Sequence, residues 1–231
     1  MKYLLALLIF SLTAHAGEWL RVSPNTISFT GEISNDDVAS FRKIYRDTDT
    51  SIILSSSGGL IEPALTIAQT LIKNKKLETV VHGLCASSCA NYLFLAGSIR
   101  RIDQGLVGYH GNLRAYLESE KFRKDVSNAD AKLVAERLPK MRQSEKEEDE
   151  FFAEAGVPQN LFTRTQNEND AGIYDIYAPG PNAFLKYGIH NVVGTQDMDL
   201  MRRLTEQYKV HILYDDSSDA GVAGPTSSTT R

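Results

Sequence analysis

The chain has 231 residues, of which 42% are hydrophobic and 23% charged, and a formal net charge of −4. This size and balance exclude a fibrous or disordered class and fit one globular domain with a sizeable core. The acidic balance, with no basic stripe to collect phosphates, excludes nucleic acid as an obvious partner.

Taken in chain order, Lys2 is followed by the apolar run Tyr3 to Leu12 and then by Ala14-His15-Ala16, a small-x-small cleavage site. Residues 1–16 therefore read as a signal peptide cleaved after Ala16. The run is too short to span a bilayer and no later stretch is long enough, so the mature chain is expected to be soluble and periplasmic or secreted. No cysteine near the site invites lipid attachment. Cleavage removes Lys2 and no acid, which takes the net charge from −4 to −5.

Residues 17–23 read as a loose lead-in. Thr26 to Ile33 then alternates as a strand, Ser34 to Asp37 caps a helix over Val38 to Arg46, and Thr50 to Ser55 is a second strand ending in Ser56-Ser57-Gly58-Gly59. A long amphipathic helix follows from about Ile61 to Lys73, with Ile61, Leu65, Ala68, Leu71 and Ile72 on one face. Leu77 to His82 reads as a strand, and Ala86 to Ala96 is small and apolar enough for a buried helix. The order β-α-β-α-β-α predicts an α/β fold with a mainly parallel sheet, whose working residues collect at the carboxyl ends of the strands.

Between that third strand and its helix lies a sharp bend, Cys85-Ala-Ser-Ser-Cys89. A serine there sits at the positive end of a helix, where free N–H groups can hold an oxyanion. By itself a serine at a helix start is an N-cap. The two cysteines would meet an oxidising compartment after export. Two Cα atoms four apart in a helix are about 6 Å apart, within disulfide range, so a local Cys85–Cys89 disulfide clamping the bend is preferred over two buried thiols that never pair.

Beyond the bend, Ile99 to Asp103 reads as a polar turn, and Gly105 to Gly111 as a buried strand ending on His110. Residues 113–156 turn highly charged and helical, with Pro139 as an expected break and Glu145-Lys-Glu-Glu-Asp-Glu150 as a solvated face. They read as a helical insertion in a domain spanning residues 17–214. Strand character returns at Ala171 to Ala178. A short helix follows over Asn182 to Tyr187, then an apolar piece from Ile189 to Val193, a helix from Leu200 to Val210 and a last strand over Ile212 to Tyr214. Residues 215–231 have the composition of a disordered tail.

Serine attack on an acyl carbon needs a base, a group that orients the base, and oxyanion donors. The expected assignment is Ser87 as nucleophile, His110 as base, the N–H groups of Gly59 and Ser88 as donors, and Asp175 as the orienting carboxylate with Asp170 in reserve. An extended peptide adding as a strand beside Gly58-Gly59 would be the substrate geometry. Individually these residues have ordinary explanations: Gly-Gly makes tight turns, and a lone histidine is usually structural. His82, His190 and His211 are read that way. No metal spacing accompanies the cysteines, and no cofactor is expected.

The joint arrangement resembles the ClpP/crotonase superfamily, in particular exported relatives of the Clp protease proteolytic subunit. The residues that carry it are Ser57-Gly58-Gly59 with the helix after it, Gly83-Leu-Cys-Ala-Ser87-Ser-Cys-Ala with Ala96-Gly97-x-x-Arg100 beyond, and Gly108-Tyr-His110. A fourth piece is Asp175-Ile-Tyr-x-Pro-x-Pro181 running to Lys186-Tyr-Gly188-Ile. The likeness covers about residues 26–194. It implies a fold of repeated β-β-α units, a Ser-His-Asp triad acting on peptide or unfolded protein substrates, and relatives that assemble into rings or smaller homo-oligomers. With no ATPase-docking signature and no ATP outside the cytoplasm, the implied peptidase is ATP-independent. Counting back from Ala96-Gly97 selects Ser88 rather than Ser87, and the stretch before Gly188 is one residue longer than the Clp pattern, so both choices stay open at this point. A catalytically degenerate peptide-binding or scaffold protein is the alternative, and acyl-CoA chemistry of the crotonase kind conflicts with export.

Overall fold

The computed structural model describes residues 17–217. The expected signal peptide and residues 218–231 of the expected tail lie outside them.

The chain runs β1 (Glu18–Ser23), β2 (Thr26–Thr30), α1 (Asp37–Ile44), β3 (Ser51–Ser56), α2 (Ile61–Leu71), β4 (Glu78–Ala86), a π-helix (Cys89–Phe94), β5 (Ile99–Gly108), α3 (Leu113–Glu118), α4 (Glu120–Asn128), α5 (Ala131–Ala155), α6 (Asn160–Asp170), β6 (Ile176–Pro179), α7 (Pro181–Lys186), β7 (Val192–Gly194), α8 (Met198–Tyr208) and β8 (Ile212–Asp215). Six strands form one sheet in the order β1-β2-β3-β4-β5-β7. β1 is its antiparallel edge and all other neighbours are parallel. β6 and β8 make a separate parallel pair. The protein is thus α/β with a mostly parallel sheet, as the sequence pattern predicts.

Alternation explains the sheet. Ile27 and Phe29 of β2 and Ile52 and Leu54 of β3 are buried, and α2 lays Ala64, Leu65, Ala68 and Leu71 into the same core. Each large aliphatic or aromatic side chain so removed from water contributes about 1.5–3 kcal/mol.

Helix α6 has no counterpart in the sequence-based expectation, and residues 171–175 are a turn rather than the start of a strand, which begins only at Ile176. Four further stretches differ from that expectation. Residues 18–23 are a strand, not a lead-in; only Trp19 of β1 is buried, against Phe29 and Phe41, so a single inward residue left no alternation to read. Ile99 to Asp103 is the first half of β5 rather than a turn. There the buried positions are Arg100 and Ile102, and the arginine masks the strand as polar. Helix α5 continues through Pro139, because the carbonyl that proline leaves unbonded belongs to Ala135 on an exposed stretch. Asp215, placed in the tail by composition, closes β8 and accepts a hydrogen bond from the Tyr177 hydroxyl.

The charged segment 113–156 is also less of an excursion than its composition suggests. The first part of α5 is largely exposed, but Phe151 and Phe152 at its far end are buried among Tyr92 and Phe162. Phe152→Ala is therefore expected to cost about 3–5 kcal/mol. Leu133→Ala on the exposed part of the same helix should cost less than about 1 kcal/mol. Urea unfolding of the two variants measures the contrast, and equal losses would contradict this division of α5.

Candidate active site

The parallel strands β3, β4 and β5 deliver three chemically useful segments to one edge of the sheet. β3 ends at Ser56 and leads into Gly58-Gly59, β4 ends at Ala86 and leads into Ser87, and β5 ends at Gly108 and leads into His110. Brought together there, the His110 Nε2 lies 2.8 Å from Ser87 Oγ.

Ser87 occupies the left-handed region, with φ +54. A residue with a Cβ pays roughly 1–3 kcal/mol for such a backbone unless its surroundings enforce it. Here they do. The Ser87 N–H donates to Gly108 O (3.0 Å) and the Ser87 carbonyl accepts from Asn91 N (2.8 Å). Cys85 and Cys89 are joined by a disulfide across the bend. Gly58, at φ +99, packs so closely that a Cβ there would fall 2.7 Å from Ala86 O and 2.8 Å from Ser87 Cβ.

Ser88 is buried and its hydroxyl donates to Gly59 O at 2.8 Å. It is Ser87 that meets the histidine. The amide of Ser88, at the start of the π-helix, has no intrahelical acceptor. Gly59 bridges to Ile33: Ile33 N donates to Gly58 O (2.7 Å) and Leu60 N to Ile33 O (2.9 Å). In such a parallel bridge the amide and carbonyl of Gly59 itself face the other way, toward the elbow, and no described residue accepts from that N–H. These bonds occupy the side of the Gly58-Leu60 segment that faces Ile33.

His110 is half-buried, and its pKa is lowered from the ordinary histidine value. Burial is the main cause; a hydrogen bond to its own backbone opposes it, and Lys121 adds to the lowering. With the ring neutral and its proton on Nδ1, Nε2 would accept from the Ser87 hydroxyl.

The structure does not bring Asp175 or Asp170 to this pair. The Asp175 side chain is exposed and accepts from His211 N at 2.7 Å. Tyr109 and Tyr177 exchange backbone hydrogen bonds as an antiparallel pair. That register sets His110 opposite Ile176, so Asp175, one step along, turns its side chain to the other face. The carboxylate of Asp170 accepts from Gln166 Nε2 at 2.8 Å. Among the described residues no carboxylate hydrogen-bonds to His110, and no group of three or more His, Cys, Asp or Glu could hold a metal ion.

Ser87, Ser88 and His110 line a cleft of about 240 Å³ together with Gly59, Asn91 and Asn169. No family model matches the chain, and no curated protein does. What the site can do rests on its own geometry.

Two groups escaped the sequence reading. Asn91 is the polar member of the otherwise apolar run Ala90-Asn-Tyr-Leu-Phe94, and that exception was its signal. Glu148, read as part of a solvated acidic face, is fully buried and accepts from Tyr92 Oη (2.5 Å), Leu113 N (3.2 Å) and Arg114 N (3.0 Å). Burial pushes its pKa up from 4.5 to about 6 against those hydrogen bonds. A carboxyl raised in the folded state binds its proton more tightly there than when unfolded. Its contribution to stability is therefore greatest below pH 4.5 and declines as pH rises through about 6, by about 2 kcal/mol in all. The unfolding free energy of the wild type relative to Glu148→Gln should fall by that amount over this window, and a difference that stays flat or rises would contradict the assignment.

Proposed function

We propose that the protein is a serine hydrolase cleaving peptide or related acyl bonds outside the cytoplasm, with Ser87 as nucleophile and His110 as general base. The observation that carries this is the elbow itself: a serine at positive φ whose hydroxyl lies 2.8 Å from an imidazole nitrogen. Ser87 Oγ attacks the carbonyl carbon as His110 Nε2 takes its proton; the N–H groups of Gly59 and Ser88 receive the oxyanion, and His110 returns the proton to the leaving group. Water then repeats the cycle on the acyl-enzyme.

The ClpP/crotonase resemblance supports this reading through its order of Gly-Gly, serine elbow and histidine on successive strand ends, and the mostly parallel sheet is compatible with that fold. The disulfide suits an oxidising compartment. No helix among the described residues is long and apolar enough to cross a membrane. In this reading the peptidase works without ATP on short or unfolded chains. One observation favours a second reading, a relative that binds peptides without cleaving them: His110 has no carboxylate partner among the described residues.

Labelling with a fluorophosphonate probe separates the two. The wild type is expected to label and Ser87→Ala not to, while Asp175→Asn should label within about threefold of wild type. Because the base works only when neutral and its pKa is lowered, the labelling rate should hold as pH falls to the ordinary histidine value of 6.5 and decline only below it. An unlabelled but folded wild type would favour binding without cleavage; label surviving Ser87→Ala would remove Ser87 as nucleophile.

A further inference from the structure

We infer that Asn91 positions His110 against Ser87, doing through the backbone what an orienting carboxylate does for a triad histidine. The inference rests on the hydrolase reading above and identifies a residue that reading does not use.

Asn91 holds both partners. Its backbone N–H donates to the carbonyl of Ser87 (2.8 Å), and its side-chain Nδ2 donates to the carbonyl of Gly111, the residue after His110 (2.7 Å). One residue thus fixes the nucleophile's peptide and the base's peptide at once. The loop has little room to yield on its other side. Gly111 sits at φ +117, and a Cβ there would fall 2.3 Å from Gln166 Oε1. On the preceding side Tyr109 is locked to Tyr177 by the pair of backbone hydrogen bonds.

The next residue repeats the reach. Tyr92 donates to Glu148, whose oxygens take the amides of Leu113 and Arg114 just beyond the loop. The segment from His110 to Arg114 is therefore tied to the π-helix that starts at the elbow. The ring hangs from this backbone, so the backbone's position sets where Nε2 lies relative to Ser87 Oγ.

The energetics of Asn91 point the same way. Its side chain is almost wholly buried, and Oδ1 is sealed from water without a partner. A buried acceptor left unpaired lowers stability, so an apolar residue would serve the core better. What asparagine adds at this position is the donor to Gly111.

The test is the kinetics of fluorophosphonate inactivation, separated into the reversible binding constant KI and the maximal rate kinact, for Asn91→Ala and Asn91→Asp. The aspartate variant keeps the shape but its carboxylate cannot donate to a carbonyl. In both, kinact is expected to fall roughly 10- to 100-fold, the scale of a small displacement of a catalytic group, with KI within about threefold of wild type and a cooperative melting transition retained. If Asn91→Ala does not fold, Asn91→Asp decides. Variants that inactivate at the wild-type rate, a loss confined to KI, or failure of both variants to fold would each overturn the positioning role. A wild-type protein that does not label would remove the hydrolase reading itself; a labelled wild type with unaffected variants removes only this inference.

Discussion

A β-substituted residue stays in the left-handed region only if the structure around it leaves no other choice, and at Ser87 every neighbouring element contributes to that constraint. β5 supplies the Gly108 carbonyl for its amide, the π-helix supplies the Asn91 amide for its carbonyl, and β3 presses Gly58 against its flank. The disulfide closes the remaining freedom by joining the end of β4 to the first residue of the π-helix. The parallel order β3-β4-β5 is what makes this possible, since only parallel neighbours deliver all three carboxyl ends to one edge. The elbow and the sheet are thus one construction, and the strain at Ser87 is held by the same contacts that assemble the site.

The chemistry of the base follows from where the strands stop. A carboxylate beside a catalytic histidine selects the tautomer, fixes the ring and stabilises the imidazolium. In this chain no carboxylate among the described residues hydrogen-bonds to His110, and the loop that carries the ring is tethered by Asn91 and by the Tyr109–Tyr177 pair instead. The burial that depresses the pKa of His110 is consequently not offset by an anion. That favours the neutral imidazole, and in the proposed mechanism an imidazolium formed in the transition state is less stabilised than in a triad. Under the proposed hydrolase mechanism, this balance predicts slow turnover that persists to mildly acidic pH.

Periodicity made most of the core legible: the strands over Ile27, Phe29, Ile52 and Leu54 and the face of α2 stand where alternation and helical spacing put them. The Ser87–His110 contact was legible as well, because Gly58-Gly59, Ser87 and His110 each follow a strand that could be recognised. What could not be read depends on register and on buried polar groups. Nothing in the local pattern says that Tyr177 rather than Ile176 faces Tyr109, yet that one-residue phase decides that Asp175 turns away from His110. Arg100 hid half of β5, and Glu148 passed for surface, because a charge in a sequence is presumed solvated until its partners are known. The disulfide pairing was accessible from spacing; the role of Asn91 was not, since it required knowing which carbonyl its amide meets.

These buried polar side chains share one task, which is to satisfy main-chain groups that the irregular geometry around the π-helix leaves over. Arg100 donates to the carbonyls of Leu95, Ala155 and His190, closing the end of the π-helix, the last turn of α5 and the turn before β7 with one guanidinium. Asn91 and Tyr92 do the corresponding work nearer its start, one directly on Gly111 and the other through Glu148. A short π-helix is a poor element by its own hydrogen bonds. Pinned at both ends by side chains, it becomes a rigid strut between the elbow and the rest of the domain. This gives the Ala96-Gly97-x-x-Arg100 spacing a physical meaning: the arginine must follow the π-helix at the distance that lets it turn back onto Leu95, and in doing so it holds fixed, from the far end, the segment whose near end aims Ser87.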